Sequence, residues 1–295
     1  MSKKRRKKRY LLGYLFIAPP IIGFLLFQLV PMVVSFVLSF TDYDFFSPMT
    51  FVGIKNYRRV FSDELFWRSM KNTLLALLGA PLQILASLFV ALLLSAKVKG
   101  QPIFRTLFFV PGLCSSVAIS LVWKWMFNKD FGILNHILGL FGLPAVNWLG
   151  DSGTVMAAMI LQGVWVGVGS GMMMYIAALK GVPQELYEAA QVEGAGWMYR
   201  FRRITLPLIS PTTFYLLIMG IISWTQDFSR YQLMTDGGPN NASLMPVLYV
   251  YQAAFRYPDL GYSFAAALSW ILGLFIFLLI LVAFVSQRKW VHYND

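Results

Sequence analysis

Glu188-Ala189-Ala190-Gln191-Val192-Glu193-Gly194-Ala195-Gly196-Trp197-Met198-Tyr199-Arg200-Phe201-Arg202-Arg203-Ile204-Thr205-Leu206-Pro207 is a polar, basic insert between two strongly apolar segments. A loop that only joins two membrane helices needs a few residues. This one is a patterned stretch of roughly 25 residues with room for its own short amphipathic helix, which implies that something docks on it. Pro183 suits the first turn of that helix, and Gln184, Glu185 and Glu188 put polar or acidic groups near its positive end. Leu186, Ala189, Ala190 and Glu193 recur three to four apart and share a face, where alanines let a partner surface approach closely. Gly194 and Gly196 permit a turn that other residues resist. The bland alternative is a solvated linker.

Outward from this insert the chain is apolar. Its 295 residues are 58% hydrophobic and 13% charged, with mean hydropathy +0.62. A soluble domain is about half apolar and about a quarter charged, so these values indicate a membrane protein. Six segments can each span ~30 Å of hydrocarbon: Leu11–Phe40, Thr73–Ala96, Ile103–Phe127, Val155–Leu179, Ile204–Gln226 and Phe264–Ser286. The fold class expected is all-α and polytopic: a basic N-terminus over 1–10, then one six-helix transmembrane domain over 11–295, with the Glu188 loop between the fourth and fifth spans. Pro19-Pro20 and Pro31 predict a kink or break in the first span. A cleaved signal peptide competes for this start, but the run is far longer than a signal core and no small-residue cleavage site follows it.

The net charge of +12 is concentrated at the ends of apolar runs, as juxtamembrane charge is, which excludes nucleic acid as the expected partner. With the N-terminus inside, Lys3–Arg9, Lys97, Lys99, Arg105, Lys180, Arg200, Arg202, Arg203, Arg288 and Lys289 outnumber the outer bases Lys55, Arg58, Arg59, Arg68, Lys71, Lys124, Lys129, Arg230 and Arg256. Both termini and the Glu188 loop are then cytoplasmic. Cys114 is the one cysteine, expected to be a small packed helix residue, and His136 and His292 lie far apart, so neither disulfide nor metal site is expected. There is no phosphate loop and no nucleophile–base pair, so ATP binding and catalysis are not expected of this chain, and no internal repeat is obvious, so the inverted repeats of many secondary transporters find no support.

Glu188-Ala189-Ala190, Gly194 and Ile204-x-Leu206-Pro207 resemble the EAA loop of permease subunits in ATP-binding-cassette importers. Tyr14–Pro31, Phe51-Val52-Gly53-Ile54-Lys55-Asn56-Tyr57, Asn72-Thr73, Phe104-Arg105-Thr106, Pro111, Trp123, Gly132-Ile133-Leu134-Asn135, Asp236-Gly237-Gly238-Pro239 and Tyr251-x-x-Ala254-Phe255 are similar to the carbohydrate branch, and most to the first of its two permeases. The extra N-terminal helices and large external domain of the maltose-type example are missing, and the six-helix core is kept. The resemblance implies a bacterial or archaeal plasma-membrane permease in an ATP-driven sugar importer. Its partners would be a second homologous permease, two ATPase subunits carrying ATP and Mg, and an extracytoplasmic sugar-binding protein, with Glu188, Ala189, Ala190 and Gly194 coupling to the ATPase.

The same resemblance makes two helical stripes candidates for the sugar path. Gly163, Gly167 and Ser170 lie on the fourth span, and Gly220, Trp224 and Asp227 on the fifth. Small residues clear space, a tryptophan can stack on a sugar ring, and a carboxylate can accept hydroxyl hydrogen bonds. Close helix packing competes for Gly163-x-x-x-Gly167-x-x-x-Gly171, and an exposed helix end for Asp227. Ser116, Gln83 and Gln162 are further mid-span polar residues that either line a path or bond between helices. The rivals from other classes are an ion-driven secondary transporter, a membrane-embedded transferase and a purely structural subunit.

Overall fold

The computed structural model describes residues 3–43, 48–95, 99–257 and 259–292, with side chains from Tyr14 onward. It divides into two compact units, Met1–Asp63 with Val250–Ile271, and Glu64–Tyr249 with Leu272–Asp295.

In the first unit, α1 (Lys3–Phe24) begins inside the basic run and is joined to α2 (Val30–Leu38) by a wide turn, Leu25–Leu29. There the Val30 N–H reaches back five residues to Leu25 O. Pro31 explains the slip, since it has no N–H to donate and its ring presses on the carbonyl four residues earlier. Pro19 and Pro20 sit inside α1 without ending it, so only the Pro31 disruption is seen. A short pair of strands, β1 (Thr41–Asp42) and β2 (Thr50–Phe51), runs antiparallel with Thr41 opposite Phe51. A short helix follows as α3 (Lys55–Phe61). Asn56 explains the sequence motif around it: its buried amide donates to Ser39 O at 3.0 Å and Thr41 O at 2.8 Å, clamping the chain that leaves α2. Phe36 meets the Trp270 ring edge-on at 4.8 Å, and Arg59 donates to Asp259 O at 2.8 Å while lying over Phe264.

The second unit begins with α4 (Glu64–Ala76), α5 (Gly79–Ser95), α6 (Gln101–Leu113), α7 (Ser116–Met126) and α8 (Ile133–Leu140). The long α9 (Val155–Lys180) leads into α10 (Gln184–Val192), α11 (Trp197–Arg200), α12 (Leu206–Leu208), α13 (Ser210–Gln226) and α14 (Ser229–Met234). The last helices, α15 (Pro246–Phe255) and α16 (Gly261–Gln287), run from one unit into the other along the chain.

Tyr14–Leu38, Glu64–Ser95, Val155–Lys180 and Gly261–Gln287 are each long and apolar enough to cross a membrane, and the number reaches six if each of two bent pairs is one span. Two expectations change. Ile103–Phe127 is not one straight helix: α6 and α7 meet at 104°. Pro111 and Gly112 weaken the end of α6, and Cys114 and Ser115 are extended, with ψ of 153° and 133°. Cys114 is therefore an exposed residue at a helix break rather than one packed within a helix. The fifth segment starts earlier than Ile204, at Trp197, and bends by 62° between α12 and α13. The Ala96 end of the second span and Lys97 lie outside the described residues.

The core of this unit is the α5–α9 seam. Gly79, Gln83 and Ser87 on α5 face Gly163, Gly167 and Gly171 on α9. The Gln83 amide donates to Gly167 O at 3.2 Å and the Ser87 hydroxyl to Val168 O at 3.1 Å. A β-carbon on Gly167 would strike the Gln83 amide, and one on Gly171 the Ser87 hydroxyl. The glycine stripe is thus a close-packing seam, as such stripes are where only small residues allow backbones to approach.

Two asparagines tie down the connections between spans. Asn72 donates to Asn241 O and Leu244 O, both at 2.9 Å, and so holds the Asp236–Pro239 turn, in which Gly237 has φ +88°. Asn135 donates to Lys129 O at 3.0 Å and Val146 O at 2.8 Å, and accepts from the Val146 N–H and the Trp148 indole.

Candidate functional site

The loop that decides the sequence reading is a compact helix–turn–helix. Pro183, extended at ψ 127°, is the residue before α10 rather than a member of its first turn. Gly194 closes the other end at φ +79°. Its N–H returns to Gln191 O at 3.0 Å, and the Ala195 N–H to Ala190 O at 2.9 Å. This reciprocal pair is the Schellman closure, which needs a left-handed residue where Gly194 stands. Gly196 departs from expectation: at φ −66° and ψ 166° its backbone suits any residue.

Glu188 and Ala189 are exposed, and Ala190 is half-buried. No ion pair of Glu188 is seen among the described residues. Val192, one turn beyond Glu188 on α10, is 90% exposed, and beyond the turn Trp197, Met198 and Tyr199 are exposed as well. The indole of Trp197 stacks on Phe201 at 5.4 Å, and the Arg200 guanidinium donates to the Gln191 side chain at 3.4 Å. Tyr187 links the middle of α10 inward. Its ring packs on the cluster of Ala91, Leu94, Met172, Tyr175, Ile176, Val182 and Ile209, and its hydroxyl lies 2.8 Å from Thr205 Oγ1.

The second group of candidates is brought together only in part. Trp224 is 2% exposed. Its ring fills the space left by Gly79 and Gly163, where a β-carbon on either glycine would collide with it. The indole N–H donates to Gln83 Oε1 at 3.1 Å, and the Arg230 guanidinium lies 4.8 Å over the ring. Arg230 pairs with Asp227 at 2.6 Å and donates to Met159 O at 3.1 Å. Asp227 also accepts the Arg230 backbone N–H at 3.2 Å, capping the first turn of α14. Gly163, Gly167, Trp224 and Asp227 thus belong to one bracket with Gln83 and Arg230. In this conformation the space cleared by the glycines is occupied by the chain's own side chains. Next to this bracket, burial pushes the Tyr231 hydroxyl up to about 12, against the pull of Arg230, so it stays protonated.

The remaining candidates lie apart from that bracket. Ser170 is exposed and donates to Gly167 O at 3.1 Å, and Ser116 is exposed at the start of α7. Gly220 is half-buried against Ala80, and Gln162 is buried with no partner for Oε1 among the described residues. Two features escaped the sequence reading. Arg230 had a visible signal, its position three residues after Asp227. The exposed face of α13, made of Tyr215, Met219, Ser223 and Gln226 at helical spacing, is distinguished by its polar members within an apolar span.

The chain resembles known proteins over its whole length. Residues 68–291 match the family described as the inner membrane component of binding-protein-dependent transport systems. The probable ABC transporter permease protein YesP of Bacillus subtilis (strain 168) is 38% identical over 302 residues, covering 100% of this chain and 96% of that protein. The trehalose/maltose transport system permease protein MalF of Thermococcus litoralis is 32% identical over 272 residues, 91% of each chain. A chain in the crystal structure of a bacterial ABC transporter involved in the import of the acidic polysaccharide alginate superposes with a TM-score of 0.84 at 25% identity, covering 97% of this chain and 98% of that one. The family match spans most of the chain and agrees with relatives aligned nearly end to end, so the chain belongs to the family of inner membrane components of binding-protein-dependent transport systems.

Proposed function

We propose that this chain is one of two permease subunits of an ATP-driven sugar or oligosaccharide importer, forming half of the path and coupling to a separate ATPase. The observation that carries the reading is end-to-end similarity to a trehalose/maltose permease in a chain whose α10 loop closes on a left-handed Gly194. ATP and Mg would be held by two ATPase subunits. An extracytoplasmic binding protein would deliver the sugar. Closure of the ATPases would move α10, and the spans would alternate between inward- and outward-facing states, each ligand acting only through its differential affinity for the two.

Both termini and the α10 loop are assigned to the cytoplasmic side by the charge distribution. Glu188, Ala189, Ala190 and Gly194 form the coupling surface. Ser116, Ser170, Gly220 and the polar face of α13 are assigned to the path as exposed or half-buried residues of spans. Gly163, Gly167, Trp224 and Asp227 contribute through the bracket they share with Gln83 and Arg230. A path of hydroxyl, amide and glycine groups, beside the paired Asp227 and Arg230, suits a neutral sugar.

The test is purification of a tagged chain from membranes that express it with its neighbouring genes, followed by reconstitution in vesicles. An ATPase and a second permease should co-purify. Labelled oligosaccharide should enter only with ATP and the binding protein. Uptake driven by an ion gradient without ATP would refute the reading.

A further inference from the structure

We propose that the Tyr187–Thr205 hydroxyl pair is the positioning link through which α10 moves α13. The inference rests on the importer reading above and adds to it the residue that carries the motion. On α10, Gln184, Glu185, Leu186, Glu188, Ala189, Gln191 and Val192 are all exposed, so the helix holds to the membrane part by few groups. Val182, just before it, is buried in the apolar cluster, and Tyr187 packs on that same cluster one helical turn into α10. The Tyr187 ring therefore fixes where the helix sits. Its hydroxyl then reaches past the cluster to Thr205, which is 5% exposed and 2.8 Å away.

Thr205 stands at a mechanically special place. It ends the wide turn Phe201–Thr205, in which the Leu206 N–H reaches back five residues to Phe201 O just before Pro207. That is the same slip seen before Pro31. Sharp kinks in helices occur at such turns, which are frequent at functional sites. The 62° bend into α13 follows within four residues. The span that begins there carries Gly220 and Trp224, with Asp227 next after its last residue. Docking at α10 and the wide turn at the foot of α13 are thus joined by a hydrogen bond between the hydroxyls of half-buried Tyr187 and buried Thr205. A displacement of α10 pulls on Thr205 directly through this bond, in addition to what the Tyr187 ring packing, the Arg200–Gln191 contact and the chain itself transmit.

The test uses the complete importer reconstituted with its second permease, ATPases and binding protein, with ATP hydrolysis and sugar uptake measured in the same vesicles. Tyr187→Phe keeps the ring packing and removes the bond; Thr205→Val removes its partner. Each should retain the wild-type ATPase stoichiometry and hydrolysis rate while sugar transported per ATP falls by roughly two- to tenfold, the range one net hydrogen bond carries. The double variant should be no worse than either single one, since both remove the same contact. Thr205→Ser should restore coupling. Unchanged coupling in both single variants, or additive losses in the double variant, would overturn the proposal. Loss of bound ATPase in Tyr187→Phe would also overturn it, by reducing the tyrosine to a structural role. If instead the wild-type complex holds no ATPase or moves no sugar, it is the importer reading that has failed.

Discussion

Gly194 and Gly196 form a natural controlled pair. Both are exposed, both sit in the turn after α10, and a β-carbon added at either meets nothing within 4 Å. They differ in backbone: φ is +79° at Gly194 and −66° at Gly196. Alanine at Gly194 therefore incurs only the left-handed penalty, about 1–2 kcal/mol. That is a factor of roughly 5–30 in the population of the closed turn. Alanine at Gly196 incurs no such penalty and stiffens the unfolded loop, a change of about 0.4–1 kcal/mol in the favourable direction. Asparagine tolerates the left-handed region, so Gly194→Asn should lose less than Gly194→Ala. The assay is titration of the purified ATPase onto permease complexes in detergent, with uptake in vesicles measured in parallel. Gly194→Ala should weaken ATPase binding by up to that factor and reduce uptake, Gly196→Ala should match wild type, and Gly194→Asn should fall between. Equal behaviour of the two alanine variants would refute the argument that the Schellman closure sets the docking surface.

Glu188→Lys reverses the exposed carboxylate of α10 and should abolish ATPase co-purification and uptake while the protein still inserts; normal attachment would remove Glu188 from the docking surface. Trp224→Ala empties the space between Gly79 and Gly163 and should cost about 3–5 kcal/mol, read as a lower unfolding midpoint in detergent. Asp227→Ala leaves Arg230 without its carboxylate and should destabilise the chain by about 1–3 kcal/mol, a loss that Arg230→Met in the same chain should relieve if the unpaired guanidinium is its cause. Cysteine placed at Ala189 in a Cys114→Ser background should resist an impermeant maleimide in intact cells and react in inverted vesicles from cells that do not express the ATPase; rapid labelling in intact cells would invert the assigned topology.

The sequence made the helical class, the membrane setting and the α10 loop legible because each rests on local chemistry. Long continuous apolar runs favour helices, which satisfy their backbone groups within one segment in lipid, and the Gly194 turn follows from a left-handed residue after a short helix. The interruptions were only half legible. Pro31 and Pro207 both sit two residues after the end of a slipped turn, yet Pro19 and Pro20 do not break α1. The break at Cys114-Ser115 lay within an apolar run that hydropathy cannot distinguish from one straight span. The candidate path was least legible, for a reason visible at Gly163. A glycine in a span reports that something comes close, and spacing cannot say whether that is a ligand or another helix. Here it is the Arg230 guanidinium and the indole of Trp224, the latter from the other candidate stripe and held by Gln83, 141 residues from it in sequence. In this conformation the space at Gly163 of one stripe is therefore filled by Trp224 of the other, while Ser170 of the first stripe and Ser223 and Gln226 on the neighbouring face of α13 lie exposed.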